Sequence, residues 1–320
     1  MIFIKKIIQE IINSGLNPVE RYLINKYKGQ NIIYSPVFII GAPRTGSTIL
    51  YEYVTNYLDL KYINNFMAKF YKSLYLSSLV SHKIFKDESH DCFDSKHGKT
   101  YGLNAPHECG SFWYRWLPKD KHFVKFDEID SNSKDEIYTT ITAITNKFNK
   151  PFIFKNLNAG QRMRLIKETF PNALFIYIKR NPLYTAQSIL RGREKTYNDR
   201  SKWWSIMPKE YDELLDLPYP EQIVKQIYYL QKQIETDLSL FPSQNSYVIK
   251  YKDFCFDTEE EINLIKEFLE NNYDKKINLK KNINPNKVYY SNEQKIDDKT
   301  FHKLKEIINQ LNWGHGNNNG

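Results

Sequence analysis

A short loop bounded by two glycines carries the residues best suited to binding an anion. Gly41 and Gly46 stand five residues apart, and Ser47 and Thr48 follow directly. Backbone N–H groups and hydroxyls at the start of a helix collect around a phosphate or sulfate, because the positive end of the helix dipole faces it. The one cation between the glycines is Arg44. Together these residues predict an anion-binding loop.

The spacing of the two glycines matches the phosphate-binding loop of nucleotide triphosphatases, but one residue departs from it. That motif requires a lysine directly after the second glycine, and this chain has Ser47 there. Its cation, Arg44, comes before the second glycine instead. The sequence therefore predicts a phosphate-binding loop with the wrong cation for ATP hydrolysis.

Strands alternating with helices must position this loop. Residues 37–40 are an unbroken apolar run, typical of a buried parallel strand, and residues 49–57 have the apolar periodicity of a helix. Further strands are predicted at residues 60–63, 151–155, 173–179 and 247–250, separated by helical segments. This order predicts a three-layer α/β fold of the P-loop nucleotide-binding type, with a central parallel sheet and helices on both faces.

Three cations are predicted to meet at one edge of that sheet. Arg44, Lys155 and Arg180 each follow or end a predicted strand. In parallel sheets, ligands bind in a crevice beyond the carboxyl ends of the strands. The sequence therefore predicts one strongly cationic crevice there.

Composition sets wider limits on the function. The chain has 320 residues and a net charge of +9, which favours an anionic partner such as a nucleotide, a nucleic acid, an anionic glycan or a membrane surface. Abundant lysine, asparagine and isoleucine from a biased genome would explain the charge equally well. Cys92, Cys109 and Cys255 lack C-x-x-C spacing, which predicts reduced thiols in a soluble, cytoplasmic protein without a disulfide frame or zinc site.

The chain is predicted to have three parts. Residues 1–30 form an amphipathic helical segment, residues 31–313 a single α/β domain, and residues 314–320 a disordered tail. Two interpretations of the first segment stay open: its apolar face packs onto the domain, or residues 1–16 dock on a partner or make weak contact with a membrane surface. That face comprises Ile4, Ile7, Ile8, Ile11 and Ile12.

Residues 86–103 interrupt the regular pattern. Charged residues, histidine and glycine dominate there, a composition typical of an exposed loop or lid. The spacing of His82, His90 and His97 matches no compact set of metal ligands. The sequence predicts no metal site.

Two motifs in this order resemble the sulfotransferases that use 3′-phosphoadenosine 5′-phosphosulfate. The first is strand, Gly-Ala-Pro-Arg-Thr-Gly-Ser-Thr, helix at residues 41–48; the second is Lys-Arg-Asn-Pro at residues 179–182, with Ser188 behind it. The similarity extends to residues 170–178 and 248–254. It is strongest to bacterial and carbohydrate-type members of that family.

The resemblance implies a site for two anionic groups of one co-substrate. The phosphosulfate donor leaves as 3′-phosphoadenosine 5′-phosphate, and no metal is needed because cations are already in place. The first motif is expected to hold the 5′ end and the second the 3′-phosphate. The cofactor-binding residues implied are Arg44, Thr45, Gly46, Ser47, Thr48, Arg180 and Ser188.

The resemblance also implies a general base for an acceptor hydroxyl, either a glutamate or a histidine. Glu108 is favoured and His107 is the alternative, because neighbours on an extended segment point in opposite directions. A structural ion pair of Glu108 with Arg115 or with another structural cation stays open. Arg44 is expected to stabilise charge in the transition state, and Lys155 is either an aid to the leaving group or a structural cation.

The acceptor implied is a small-molecule, glycan or lipid hydroxyl, most simply that of a carbohydrate, and no nucleic-acid partner is implied. Alternatives are a P-loop kinase or triphosphatase with an altered loop, and a non-catalytic polyanion-binding protein. The pattern does not indicate an oligomeric state. Aromatic residues near both motifs form either a stacking floor or core: Trp113, Tyr114, Trp116, Trp203 and Trp204.

Overall fold

Five parallel strands form the central sheet of the protein. The computed structural model describes residues 2–93, 95 and 98–313, with the backbone alone for residues 2–9. The strand order is β2-β3-β1-β4-β5, so the strand that precedes the anion loop lies in the middle. The strands are β1 (Val37–Ile40), β2 (Lys61–Tyr62), β3 (Phe152–Lys155), β4 (Leu174–Lys179) and β5 (Ser246–Lys250).

Helices cover both faces of the sheet. Within the described residues they are α1 (Ile2–Asn25), α2 (Ser47–Tyr57), α3 (Asn65–Lys69), α4 (Leu74–Phe85), α5 (Gly110–Trp113), α6 (Ser131–Phe148), α7 (Met163–Thr169), α8 (Pro182–Tyr197), α9 (Tyr211–Leu214), α10 (Tyr219–Leu238), α11 (Tyr251–Phe256), α12 (Thr258–Tyr273) and α13 (Asp298–Asn309).

Alternate residues of β1 belong to the two halves of the core. Val37 and Ile39 pack with α2 and α12, whereas Phe38 and Ile40 pack with the side of α6 and α7. All four side chains are buried, as expected for a strand covered by helices on both faces. The predicted three-layer α/β fold of the P-loop type is therefore confirmed.

The strand ends carry the local signals that begin the next helix. Asn181 is the second residue after β4, and its side chain accepts a hydrogen bond from the Leu183 N–H at 3.0 Å. Pro182, the first residue of α8, needs no hydrogen bond for its nitrogen and already has helical φ. These signals fix where α8 leaves the sheet, next to Arg180.

Two residues of the predicted apolar face of helix α1 point away from the domain. Ile11 and Ile12 are 65% and 40% exposed, whereas Asn13 and Glu20 are buried. Packing of the apolar face onto the domain is therefore wrong for the described part of this face. The domain boundary at residue 30 stays a prediction, and the predicted tail, 314–320, lies outside the described residues.

Candidate active site

A cavity of about 580 Å³ opens beyond the carboxyl ends of β1, β3 and β4. This volume lies in the range of sites for small molecules and cofactors. Arg44, Lys155 and Arg180 all line it, as the sheet-edge argument predicts. Glu108 and Tyr114 line it as well.

The anion loop leaves backbone donors free at the start of α2. Gly46 is the residue before this helix and supplies no side-chain cap, so no side chain takes up the first N–H groups of α2. Gly46 has φ +93°, and a Cβ there would lie 2.2 Å from the ring of Tyr251. Only glycine allows both this conformation and this close approach.

One hydroxyl of the loop stabilises the loop itself, and two others face the cavity. The Thr45 hydroxyl donates to the Ala42 carbonyl at 2.8 Å and is fully buried, so it holds the loop together. Ser47 and Thr48 line the cavity. The backbone at Thr45 and the hydroxyls of Ser47 and Thr48 remain the predicted contacts for an anion.

Arg44 is a desolvated cation in this cavity. Its Nε donates to the Ser188 Oγ at 3.0 Å. Burial and the neighbouring Arg180 lower the pKa of the Arg44 guanidinium from its ordinary value of 12.5. The shift reflects cations crowded together out of water, a field that a bound anion relieves. Ser188 therefore orients Arg44 here, and its contact with a 3′-phosphate stays a prediction.

Two backbone carbonyls hold Arg180 in place. Its Nη1 donates to the Arg44 carbonyl at 3.2 Å and its Nη2 to the Ser291 carbonyl at 3.4 Å. The guanidinium lies 4.7 Å from the ring centre of Tyr251. The buried Nε finds no acceptor among the described residues. A buried unpaired donor is costly, which suits a site completed by a ligand.

Lys155 links the loop to the wall that carries the predicted base. Its side chain is 2% exposed, its Nζ donates to the Thr48 Oγ1 at 3.0 Å, and it forms an ion pair with Glu108. The Glu108 side chain is 38% exposed. Arg115 pairs instead with Glu136 at 2.7 Å, so the alternative pairing of Glu108 with Arg115 is wrong, whereas its pairing with another cation, Lys155, is present.

The two candidate bases face different surroundings. Glu108 lines the cavity, whereas His107 is exposed and is not among the lining residues. The His107 Nδ1 accepts the backbone N–H of Cys109 at 2.8 Å, which occupies one ring nitrogen. The geometry brings Glu108 to the three cations and leaves His107 outside.

Only part of the predicted aromatic floor reaches the cavity. Tyr114 and Trp204 line it. Trp113 is buried in the core, and Trp116 donates to Glu136 at 3.0 Å. Trp203 packs edge-on against a tyrosine of α9, with ring centres 4.8 Å apart. For these last three tryptophans, the interpretation as core or structural residues holds.

Several lining residues escaped the sequence argument, among them His122, Asn156, Asn158 and Tyr251. Two of them stand directly after strands, Asn156 after β3 and Tyr251 after β5, so the rule that located Lys155 would have found them. Asn158, on the turn after β3, donates to the Tyr114 hydroxyl at 2.9 Å. His122 comes from an irregular segment, for which no local signal exists.

His122 is a neutral hydrogen-bond donor at the cavity wall. Its Nδ1 accepts the Met207 N–H at 2.9 Å, which leaves the proton of the neutral ring on Nε2. Burial, with a contribution from Arg162, lowers the pKa of His122 to about 4. The ring is therefore uncharged at neutral pH and suited to orienting a polar ligand.

The predicted loop or lid at residues 86–103 is partly a wall of the site. His90 is buried, and its Nε2 lies 3.0 Å from the Glu52 carbonyl of α2. Ser95 and Gly98 line the cavity, and a Cβ at Gly98 would lie 3.3 Å from a Glu108 carboxylate oxygen. His97 lies outside the described residues, and no metal-binding group of three side chains occurs among those described.

The segment after α12 crosses the same edge of the sheet. The hydroxyls of Tyr53 and Tyr57 donate to the carbonyls of Asn286 and Asn284 at 2.8 and 2.9 Å. Farther along, Ser291 accepts from Arg180. This segment is therefore tied to α2 and to Arg180.

The fold and the site define a P-loop-like α/β protein whose cavity joins three cations, uncapped helix N–H groups and one carboxylate. A family model described as Sulfotransferase family matches residues 36–275, more than half of the chain. The chain belongs to the sulfotransferase family, and the predicted resemblance is confirmed. It is an enzyme of the sulfotransferase class.

Relatives and solved structures agree at the level of the family. The chain is 22% identical over 271 residues to the omega-hydroxy-beta-dihydromenaquinone-9 sulfotransferase Stf3 of Mycobacterium bovis, covering 79% of this chain and 67% of that protein. The same figures hold for Stf3 of Mycobacterium tuberculosis. The crystal structure of sulfotransferase STF1 from M. tuberculosis superposes with a TM-score of 0.50 at 14% identity, covering 91% of this chain and 75% of that one. That likeness supports the fold.

Proposed function

We propose that this enzyme transfers the sulfonyl group of 3′-phosphoadenosine 5′-phosphosulfate to an acceptor hydroxyl. The observation that carries the proposal is the meeting of Arg44, Arg180 and Lys155 in one cavity with Glu108. A donor with a phosphosulfate at one end and a phosphate at the other needs two separate anion sites, and the loop and Arg180 supply them. Membership of the sulfotransferase family supports the same donor.

Each residue has a proposed part in the transfer. The acceptor oxygen attacks sulfur as the bond between sulfur and the bridging phosphate oxygen breaks, and Glu108 accepts the hydroxyl proton. Arg44 and Lys155 stabilise negative charge that grows on the leaving phosphate, an effect that amounts to several kcal/mol in a water-poor cleft. Arg180 holds the 3′-phosphate, with Ser188 as its predicted helper. Positioning and charge stabilisation therefore do most of the chemistry.

Two features bear on the acceptor. The aromatic rings of Tyr114 and Trp204, with the amides of Asn156 and Asn158, offer stacking and hydrogen bonds together, which suits a carbohydrate hydroxyl. The related Stf3 is named for a hydroxylated dihydromenaquinone, so a lipid alcohol is the second candidate. A cytoplasmic location is proposed as well, supported by three cysteines that are free thiols.

The test combines ligand binding with turnover. Adenosine 3′,5′-diphosphate is another name for the product 3′-phosphoadenosine 5′-phosphate. It should raise the melting temperature of the protein, and at 100 times its dissociation constant it should add about 2.7 kcal/mol of stability. Magnesium ATP should give a much smaller shift, because the lysine of the triphosphatase motif is missing. Sulfonyl transfer is then assayed against saccharides, phenols and lipid alcohols.

The outcomes separate the competing functions. A shift with adenosine 3′,5′-diphosphate and transfer to any member of the panel supports the proposal, and the preferred member identifies the acceptor class. A magnesium-dependent shift with ATP and none with the diphosphate would instead support a kinase or triphosphatase. Salt-sensitive binding to polyanions that Arg44→Ala leaves unchanged would support a non-catalytic binding protein.

A further inference from the structure

Helix α1 presents an apolar stripe to the surroundings of the protein. Ile11, Ile12, Val19 and Tyr22 are 65%, 40%, 48% and 81% exposed. At 100° per residue these four positions fall on one face about 100° wide. Isolated exposed apolar residues are ordinary, but four of them on one face of a single helix are a mark of an interaction surface.

The opposite face holds this helix to the protein through polar contacts. The Asn13 side-chain amide donates to the Lys69 carbonyl at 3.0 Å. The Glu20 carboxylate accepts the N–H groups of Tyr75 and Leu76, at 2.7 and 2.8 Å, at the start of α4. The orientation is therefore specified by buried hydrogen bonds, and the apolar stripe faces outward as a consequence.

The charge around the stripe is positive. Residues 1–30 contain five lysines and arginines against two glutamates. Glu20 is buried, and Glu10 pairs with Lys72 at 2.9 Å, so both acidic groups are engaged. The Arg21 side chain is 66% exposed, and Lys26 and Lys28 are exposed too. The accessible charge of this segment is cationic.

We infer that α1 docks the protein on an anionic bilayer, with the stripe lying in the plane of the headgroups. An outward apolar face, flanking cations and an exposed tyrosine are the features of helices that bind membrane interfaces. No helix among the described residues is long and apolar enough to cross a bilayer. The inference does not depend on the donor or acceptor of the proposed reaction.

A second copy of the chain is a weaker occupant for this stripe. A symmetric dimer buries the same patch on both copies, so the cations that flank the stripe would face one another. Anionic lipid headgroups neutralise these cations while the acyl region accepts the apolar side chains. The cations that flank the stripe therefore favour an anionic bilayer over a second copy as its partner.

The experiment is co-sedimentation of the full chain with vesicles. Phosphatidylcholine vesicles containing phosphatidylglycerol should bind the protein, pure phosphatidylcholine should bind it much less, and added salt should weaken binding. The double variant Ile11→Ser, Tyr22→Ser should reduce affinity for the anionic vesicles by about tenfold or more, because two anchoring side chains are lost.

A matched control tests whether any exposed apolar pair would act alike. Val248 and Tyr289 are 52% and 74% exposed and lie outside α1, so Val248→Ser, Tyr289→Ser should bind vesicles like the wild type. Equal binding by all three proteins, or no binding to anionic vesicles, would overturn the inference. A wild-type dimer that light scattering shows to be monomeric in the Ile11, Tyr22 variant, without vesicle binding, would assign the stripe to a second copy.

Discussion

At the scale of single residues, the carboxylate of Glu108 carries the most specific expectation. Glu108→Gln keeps the size of the side chain but cannot accept a proton, so we expect sulfonyl transfer to fall by about 10² to 10⁴-fold. Binding of adenosine 3′,5′-diphosphate should persist, because Arg44 and Arg180 are untouched. The measurements are kcat with the best acceptor and a thermal shift with the diphosphate.

The control for this variant is Glu221→Gln, which removes a carboxylate that pairs with Lys225 away from the cavity. It should leave kcat unchanged. If Glu108→Gln keeps full activity and a His107 variant loses it, the base is His107 in spite of its exposed position.

Arg180 is expected to bind the 3′-phosphate of the nucleotide. Arg180→Ala should weaken binding of adenosine 3′,5′-diphosphate by about 10 to 100-fold, the size of one charged hydrogen bond. Binding of 5′-AMP, which lacks that phosphate, should change little. Calorimetry with both ligands checks this, with Arg164→Ala as the control, since Arg164 pairs with Asp237 outside the cavity lining. Equal losses for both ligands would contradict the assignment.

At the scale of elements, the turn from β1 into α2 depends on one glycine. Gly46→Ala puts a methyl group at φ +93° and 2.2 Å from the Tyr251 ring, so the loop or the ring has to move. We expect a loss of more than about 1 kcal/mol of stability and weaker binding of adenosine 3′,5′-diphosphate. Denaturant unfolding and calorimetry measure the two effects.

Two further variants separate strain from crowding at this turn. Adding Tyr251→Ala to Gly46→Ala removes the ring, so stability lost to crowding should return while the loss from positive φ stays. Gly15→Ala is the matched control, because its Cβ meets nothing within 4 Å and lies within a helix. It should be neutral or stabilising. A harmless Gly46→Ala would show that the turn can relax.

At the scale of the whole molecule, the contact of Glu20 in α1 with the backbone of α4 makes the free energy of unfolding depend on pH. Burial raises the pKa of Glu20 from 4.5 to about 7. Between these values the folded protein holds a proton that the unfolded chain releases, so this group makes stability fall as pH rises. Relative to Glu20→Gln, the wild type should lose up to about 3 kcal/mol between pH 4.5 and 7.

Urea unfolding of both proteins at several pH values measures this difference. The control is Glu10→Gln, which removes a carboxylate whose pKa is lowered by its hydrogen bond to Lys72. Its difference from the wild type should not grow between pH 4.5 and 7. If the wild type and Glu20→Gln follow parallel pH curves, the Glu20 carboxyl is ionised when folded and its two backbone hydrogen bonds stabilise it.

The sequence by itself determined the frame of this protein and its cationic crevice. The apolar runs of β1, β3 and β4 and the turn residues after them depend on local pattern, and parallel strands bring their carboxyl ends to one edge. Arg44, Lys155 and Arg180 were therefore predictable as neighbours. So was the family, because its two motifs stand in fixed order on those strands.

Only the tertiary structure decided which side chains complete the site and which way α1 faces. Glu108 turns to Lys155 and His107 away, and His122 arrives from an irregular segment, because loops follow long-range packing that periodicity does not encode. Ile11 and Ile12 of helix α1 face outward because Glu20 and Asn13 on the opposite side of the helix bond to partners on other elements. A hydrophobic pattern locates a face, but what covers that face depends on contacts distant in the chain.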